Sequence, residues 1–339
     1  MVRVDDTGWT WLDMSTRSTH RLLGLDPVLT LIVRSRTPVS DDVIELRLVH
    51  PDGGPLPPWS PGAHIDLLLG EGLVRQYSMC ADPTAGQEWR LGVLLEPHGR
   101  GGSAAIHERL QVGTPIRVRG PRNHFTLNQA RRYVFVAGGI GITPLIPMIE
   151  RADRWDSDWI LVYGGRSRSS MAFATELVDR YGGRVVLHPE DQEGFLDLPS
   201  ILSNVDQNTL VYCCGPGGLL DAIESACSGF APGTLRVERF APRPQGQPLM
   251  QETFKVHLAR SGLTLDVDPD HTILEMVDKA GVFVSTSCEE GICGTCQTSV
   301  LEGLPDHRDS VLTDVQRESN TSMMICCSRS ATLDLVLDL

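Results

Sequence analysis

Lysine is nearly missing from this chain: only Lys255 and Lys279 occur, and the other 28 of its 30 basic residues are arginines. Basic charge is scarce as well. Acidic residues number 43, leaving a formal net charge of −13 at pH 7. That argues against nucleic acid and anionic lipid as partners, since both need basic surface. Long apolar runs are missing too. The longest uncharged stretch, Tyr133–Ile149, holds three glycines and two prolines, whereas a membrane span needs ~20 apolar residues. Residues 1–20 carry Arg3, Asp5, Asp6, Asp13 and Arg17 and no apolar h-region, so no secretory signal reads there and the cytoplasm is the expected compartment. Cysteine is absent from the first 79 residues, yet five of the nine lie from Cys288 to Cys327. In a reducing compartment such a cluster means metal or redox chemistry rather than disulfides.

What remains is an ordinary globular composition, 41% hydrophobic and 22% charged over 339 residues, enough for two or three domains. Residues 1–26 show no clear periodicity and read as an extension. Six short β-type runs follow: Leu29–Val33, Val43–Val49, His64–Leu69, Val74–Ser78, Arg90–Leu95 and Pro115–Arg119. They predict a small antiparallel barrel over 27–127. Val43–Val49 alternates, with Ile44, Leu46 and Leu48 on one face and Glu45 and Arg47 on the other. The rhythm then changes. Tyr133–Ala137, Trp159–Tyr163, Arg184–Leu187, Leu210–Cys213 and Thr234–Val237 alternate with helix-length stretches such as Met171–Tyr181 and Leu219–Cys227. This predicts a parallel α/β sheet over 128–239, with ligands at the carboxyl ends of its strands. The proline-rich 240–251 reads as a linker. Over 252–339, Phe254–Leu258 and Leu263–Val267 flank a hairpin turn at Arg260-Ser261-Gly262, Thr272–Ala280 reads as a helix, and Leu333–Leu337 as a last strand.

The most specific signal is Cys288-x4-Cys293-x2-Cys296 followed by Cys326. This is the spacing of a plant-type [2Fe–2S] site held by four thiolates. Gly291 and Gly294 let the loop turn its sulfurs inward, where backbone N–H groups can bond the cluster. A Cys₄ zinc site is the competing reading, although it favours two C-x2-C pairs. Cys327 reads as structural, and Cys80 and Cys227 as core residues.

Two glycine-rich turns follow strands of the α/β region. Gly138-Gly139-Ile140-Gly141-Ile142-Thr143-Pro144 offers backbone N–H groups and a helix N-terminus to a pyrophosphate, with Pro144 suited to the first helical turn. Cys213-Cys214-Gly215-Pro216-Gly217-Gly218 ends the fourth strand. In the barrel region Arg75-Gln76-Tyr77-Ser78 offers a guanidinium fork for phosphate, an aromatic face and a hydroxyl. Gly99–Ser103 is a second turn suited to phosphate.

Together with Gly120-Pro121-Arg122-Asn123 and Glu238-Arg239-Phe240, these motifs resemble the phthalate dioxygenase reductase family of the ferredoxin–NADP⁺ reductase superfamily, from about Leu29 to Leu339. The resemblance implies a multidomain protein: a six-stranded antiparallel β-barrel flavin domain, a parallel α/β nucleotide domain and a C-terminal β-grasp ferredoxin domain. The implied cofactors are FMN, NADH and the [2Fe–2S] cluster. Arg75 and Ser103 would hold the FMN phosphate, with N–H groups from Gly101 and Gly102. Tyr77 would pack on the isoalloxazine, Ser78 would approach its N5, and Gln76, Leu94 and Leu95 would line the same site. Phe240 would cover the ring where nicotinamide enters. Gly138, Gly139 and Gly141 would face the NAD pyrophosphate, with Thr143, Arg166, Gly215 and Pro216 around the nucleotide and Cys214 near its carboxamide. Where relatives carry an acidic residue for the adenosine ribose, this chain has Ser167 and Arg168. Arg166 and Arg168 would suit a 2′-phosphate, so NADPH stays open beside NADH.

The resemblance further implies a monomeric reductase that passes electrons singly to a separate oxygenase. The sequence has no C-x-H pair, hence no Rieske ligands of its own, so the oxygenase is expected to be a separate protein, and the resemblance implies a Rieske oxygenase or demethylase. A cytochrome P450 or di-iron oxygenase, with FMN or FAD, is the alternative acceptor. A zinc-binding or redox-sensing scaffold is the non-enzymatic one. Residues 251–339 hold 15 acidic and 6 basic residues, which makes the ferredoxin module the expected docking face for a basic partner.

Overall fold

The computed structural model describes residues 28–70 and 72–339, and the extension read over 1–26 lies outside the described residues. Three main sheets follow one another along the chain.

The first is antiparallel: β1 (Val28–Pro38), β2 (Val43–Val49), β3 (Ala63–Leu68), β4 (Val74–Ser78), β5 (Glu88–Leu94) and β6 (Pro115–Asn123), with helix α1 (Gly102–Arg109) between the last two. The order is β4-β3-β6-β1-β2-β5, and a bridge from Met79 to Leu91 joins its two edges. Alternate residues Leu31, Val33, Leu46, Leu48, Ile65 and Leu67 meet in one core, each fully buried. Glu45 on the polar face of β2 is also out of solvent. Arg90 Nε donates to Glu45 (2.5 Å) and its Nη1 to Glu176 of the next domain (2.9 Å), while its guanidinium stacks 4.5 Å over Phe173. That face is the seam to the α/β region, and its charges tolerate burial because each is paired. Opposite β3, strand β6 carries a bulge: His64 faces Arg122 but Asp66 faces Arg119. Three residues of β6 thus span two of β3, with Gly120 at φ +114. Both arginines are thereby turned onto Asp66.

The second sheet is fully parallel: β7 (Arg132–Gly138), β8 (Asp158–Gly165), β9 (Val185–Pro189), β10 (Thr209–Cys214) and β11 (Leu235–Glu238). Its helices are α2 (Ile142–Arg154), α3 (Ala174–Tyr181), α4 (Glu190–Glu193), α5 (Leu198–Leu202) and α6 (Gly217–Ala226). The order β11-β10-β7-β8-β9 reverses direction beside β7. The turns after β7 and β10 therefore diverge and leave a crevice at the carboxyl ends of the strands.

The third sheet contains β12 (Phe254–Leu258), β13 (Leu263–Val267), β14 (Gln297–Glu302), β16 (Ser322–Met324) and β18 (Asp334–Leu337), in the order β13-β12-β18-β14-β16. Strands β15 (Pro305–Asp306) and β17 (Arg329–Ser330) pair separately. Helix α7 (Ile273–Lys279) opens with a capping box between Thr272 and Glu275, and α8 (Asp314–Ser319) with one between Thr313 and Gln316. The β12–β13 hairpin turns at Gly262, φ +67.

The proline-rich segment 240–251 is tied down on both sides. Arg243 bonds Glu224 of α6 (2.6 Å) and its N–H bonds Ser310 (3.2 Å). The Gln245 amide donates to the Arg308 carbonyl, and the Arg308 guanidinium donates back to the Gly246 carbonyl, each at 2.6 Å. Extended proline-rich backbone keeps its carbonyls open to such partners. Among the described residues no helix is long and apolar enough to cross a membrane.

Candidate functional site

Cys288, Cys293 and Cys296 lie on the irregular loop between α7 and β14, and Cys326 follows β16. Positive φ at Gly291 (+71) and Gly294 (+73) curls the loop so that its sulfurs converge. The sulfurs meet as two hydrogen-bonded pairs, Cys288 with Cys293 and Cys296 with Cys326. Within the first pair the bond from Cys288 favours the thiolate of Cys293, holding it below the usual thiol range. Backbone N–H groups also point at the sulfurs: Glu290 at Cys288 (3.3 Å) and Thr295 at Cys293 (3.4 Å). Two thiolates for each of two irons is the ligand set of a [2Fe–2S] centre, and N–H donors on the sulfurs tune its potential. The C-x4-C-x2-C spacing and the two-by-two pairing suit that group better than one tetrahedral ion, which favours two C-x2-C pairs. Cys327 stands behind the loop, where a Cβ on Gly291 would strike its sulfur. Cys80 and Cys227 are buried.

On β4, Arg75 donates to the carbonyls of Val74 (2.8 Å) and Arg100 (2.7 Å). Its side chain crosses the start of α1, and a Cβ on Gly102 would stand 2.5 Å from Arg75 Nε. Gly101, at φ +78, opens onto free space. Burial, then the charge of Arg100, holds the Arg75 guanidinium below its usual range, and an anion at this helix N-terminus would relieve both. The Ser103 hydroxyl accepts the Glu96 N–H (3.0 Å). Tyr77 packs half-buried on the core of the first sheet. Leu94 is half-buried and the Leu95 N–H bonds the Asp42 carbonyl (2.8 Å). This cradle fits a flavin phosphate.

At the crevice the two glycine-rich turns pack on each other. A Cβ on Gly141 would lie well inside contact distance of the Cys214 carbonyl and 2.6 Å from Gly215 N. One on Gly138 would lie 2.7 Å from Pro216 Cδ, and one on Gly215 2.9 Å from Gly138 Cα. Gly139, at φ +54, faces open space, as do Gly217 and Gly218 at the start of α6. These glycines thus serve close packing as well as any pyrophosphate. Three side chains expected at the cofactors are otherwise engaged. The Thr143 hydroxyl bonds the Ile140 carbonyl (3.0 Å), and its methyl leaves no space for a side chain on Gly92. The Gln76 amide bonds Asp66 (3.1 Å) and Ser287 (3.2 Å). Arg166, largely exposed, pairs at 3.4 Å with Asp42 of the first sheet's domain.

Sequence reasoning missed Glu238 as a site residue. It ends β11 in register with Cys214. The Ser78 hydroxyl bonds its carboxyl, yet burial outweighs that bond and pushes the group up to about 8. Its Oε2 is buried without a hydrogen-bond partner. Burial, reinforced by Glu238, likewise pushes the Cys214 thiol far up, so it is a neutral thiol. Phe240, two residues on, is 40% exposed. Ser78, Cys214 and Glu238 therefore gather from two domains around an unpartnered oxygen that a polar ligand would satisfy, with Phe240 two residues further along the chain. A carboxylate ending a parallel strand, inside the Glu238-Arg239-Phe240 motif, was the available signal.

Paired thiols for a two-iron cluster, an anion cradle and a nucleotide crevice in one chain define a flavin iron–sulfur oxidoreductase fed by a pyridine nucleotide. Comparisons with known proteins agree. The family model for the 2Fe-2S iron-sulfur cluster binding domain matches residues 256–331. Phenoxybenzoate dioxygenase subunit beta of Ectopseudomonas oleovorans is 44% identical over 88% of this chain and 94% of its own. Vanillate O-demethylase oxidoreductase of a Pseudomonas strain is 39% identical over 92% and 100%. Among solved structures, an intact type IV self-sufficient cytochrome P450 monooxygenase superposes with TM-score 0.86 at 43% identity over 92% of this chain. This chain spans only 41% of that one. Phthalate dioxygenase reductase, described as a modular structure for electron transfer from pyridine nucleotides to [2Fe–2S], superposes with TM-score 0.68 at 33% identity over 92% of this chain and 98% of its own. The chain belongs to the phthalate dioxygenase reductase family. Its cofactors are FMN, NAD(H) and a [2Fe–2S] cluster.

Proposed function

We propose that this chain is the reductase component of a multicomponent oxygenase, delivering single electrons to a separate Rieske-type oxygenase or demethylase. The observation that carries the reading is the seating of the cysteine loop on the sheet that bears the flavin motif. Gln76 bonds Ser287 (3.2 Å) and Arg100 pairs with Glu290 (2.7 Å). Residues 27–127 form the flavin domain, with the bridged six-stranded sheet as its barrel. Residues 128–239 form the nucleotide domain and 252–339 the ferredoxin domain.

When bound, FMN supplies the conversion of a two-electron hydride donor into one-electron steps that the cluster relays. The protein's task is placement. Arg75, Gly101, Gly102 and Ser103 hold the flavin phosphate, while Tyr77 and Phe240 bracket the ring. Gly139 and the N-terminus of α2 receive the pyrophosphate, and the turn at Gly215-Pro216 shapes the crevice wall. Ser78 and neutral Cys214 line the point where nicotinamide meets flavin. Glu238, protonated below about 8, turns a proton rather than a charge toward it. Arg166 and Arg168 bind the adenosine end, and NADH is the preferred donor. Cys288, Cys293, Cys296 and Cys326 hold the cluster.

The acidic ferredoxin module docks on a basic patch of the oxygenase, which long-range charge attraction would speed. The test is reconstitution: NADH-dependent turnover by purified Rieske oxygenases with this chain as sole reductase, followed against salt. Coupling that falls steeply with salt supports the reading. Failure with every Rieske partner encoded nearby, or a flat salt profile, counts against the partner or the docking face respectively. The likeness to a P450-fused chain favours one second reading, a P450 acceptor. Turnover with a P450 but no Rieske partner would select it.

A further inference from the structure

Asp66 is fully buried at the centre of β3, on the face opposite the core residues Ile65 and Leu67. Register places it directly across from Gln76 on β4 and from Arg119 on β6, and the β6 bulge brings Arg122 onto the same carboxylate. Burying a carboxylate is costly unless it is fully paired. Here the partners reach past the barrel. Arg119 donates to Asp66 through Nε (2.9 Å) and, through Nη2, to the carbonyl of Thr286 (2.7 Å). Gln76 divides its amide between Asp66 and Ser287, and the Ser287 hydroxyl bonds Asp66 as well. Thr286 and Ser287 lead directly into Cys288, the first thiolate of the cluster loop.

That loop has no helix or strand to fix it between Gly281 and Cys296. Its position comes from its neighbours. Besides 286–287, Glu290 pairs with Arg100, and Gly294 leaves no room beyond hydrogen against the His124 ring, a Cβ there standing 2.8 Å from Cε1. The barrel thus meets the loop just before Cys288, between Cys288 and Cys293, and between Cys293 and Cys296. Interfaces between domains of one chain are ordinarily loose and polar. A fully buried, charge-paired carboxylate at this one is unusual, and it is spent on the residues that border the cluster.

We infer that Asp66, with Arg119 and Gln76, is a positioning device that fixes the cluster loop on the flavin-bearing sheet and so sets the distance over which electrons pass from flavin to cluster. The inference rests on the proposed flavin site at β4. The step it governs moves one electron from reduced FMN, which is oxidised, to the oxidised cluster, which is reduced, and no covalent bond forms or breaks. Gln76, adjacent to Arg75 and Tyr77 in one motif, couples cluster position to the strand that holds the flavin.

The test uses the purified holoprotein and two variants that leave Asp66 in place, Ser287→Ala and Arg119→Gln. Amide hydrogen exchange over 285–296 is read alongside the rate of cluster bleaching after rapid mixing with NADH. Flavin content, cluster content and NADH–ferricyanide reduction are measured in parallel. Loss of one charge-assisted bond should raise local opening by about tenfold or more. The expected result is faster exchange across 285–296 and slower cluster reduction in both variants, with cofactor content and ferricyanide reduction at wild-type level. Wild-type exchange and wild-type cluster reduction in both would overturn the inference. So would a loss of FMN together with ferricyanide reduction, which would put these side chains in flavin retention instead. The flavin spectrum of the unaltered protein checks the underlying site independently.

Discussion

Gly141→Ala should harm this protein through backbone collision alone. Gly141 has an ordinary right-handed conformation, φ −62, so alanine brings no strain of its own and would reduce the freedom of the unfolded chain. Against this, the new Cβ would lie on top of the Cys214 carbonyl and 2.6 Å from Gly215 N. Both are backbone atoms and neither is a flexible tip that can swing aside. The turns after β7 and β10 must separate, at a cost of ~1–3 kcal/mol, the usual range for overpacking. Gly218→Ala is the control. Gly218 lies in the first turn of α6 with no atom near its would-be Cβ, so alanine there should stabilise by ~0.5–1 kcal/mol. One chemical change at two glycines near the same crevice thus acts with opposite sign. For a unit the size of the parallel-sheet domain, a loss of ~1–3 kcal/mol lowers the unfolding midpoint by roughly 4–15 °C. Thermal unfolding at matched cofactor load reads this. The separated turns should also raise the KM for NADH, while dithionite still reduces flavin and cluster. A wild-type midpoint for Gly141→Ala, or equal destabilisation by Gly218→Ala, would refute the packing argument.

Other expectations are as direct. Arg75→Ala removes one charge-assisted phosphate contact, worth ~1.5–3 kcal/mol, and should loosen FMN by ~10–100-fold in equilibrium dialysis, with Ser103→Ala milder. Glu238 is raised by burial to about 8, above the ordinary value of 4.5. The folded state therefore holds a proton that the unfolded chain releases, and this contribution is complete below 4.5 and lost as pH rises through about 8. Glu238→Gln should flatten that decline in unfolding measurements across the interval. Cys293→Ser should abolish cytochrome c reduction and leave NADH-driven flavin bleaching nearly intact, as rapid-mixing absorbance would record.

Much of this architecture could be read locally. The cysteine spacing is legible because ligand chemistry dictates it, and β2, β4, β12 and β13 because their apolar pattern or flanking turns mark them. Strand β14 escaped notice because Gln297–Glu302 buries only Thr298 and Val300, too few for a period-2 signal. Glu45 alternates as a solvent-facing residue would, and nothing local shows that Glu176 and Phe173 cover Arg90 beside it. The same limit hides Asp66, whose partners Arg119 and Ser287 are remote in sequence. Segment 240–251 has a linker's composition, yet its anchors Glu224, Arg308 and Ser310 belong to elements on either side. Gln76 and Thr143 sit in cofactor motifs, but their side chains hold the domains together. Composition records what a segment can do, and only the fold decides which neighbour uses it.

The central claim is that electrons enter at the crevice and leave through the paired cysteines. Anaerobic rapid mixing of the purified protein with NADH, followed by visible absorbance and by electron paramagnetic resonance of freeze-quenched samples, tests it most directly. The account predicts flavin bleaching first, then bleaching of the cluster with appearance of its one-electron-reduced signal. A protein without flavin and cluster absorbance, or one whose cluster stays oxidised while the flavin is fully reduced, would contradict it.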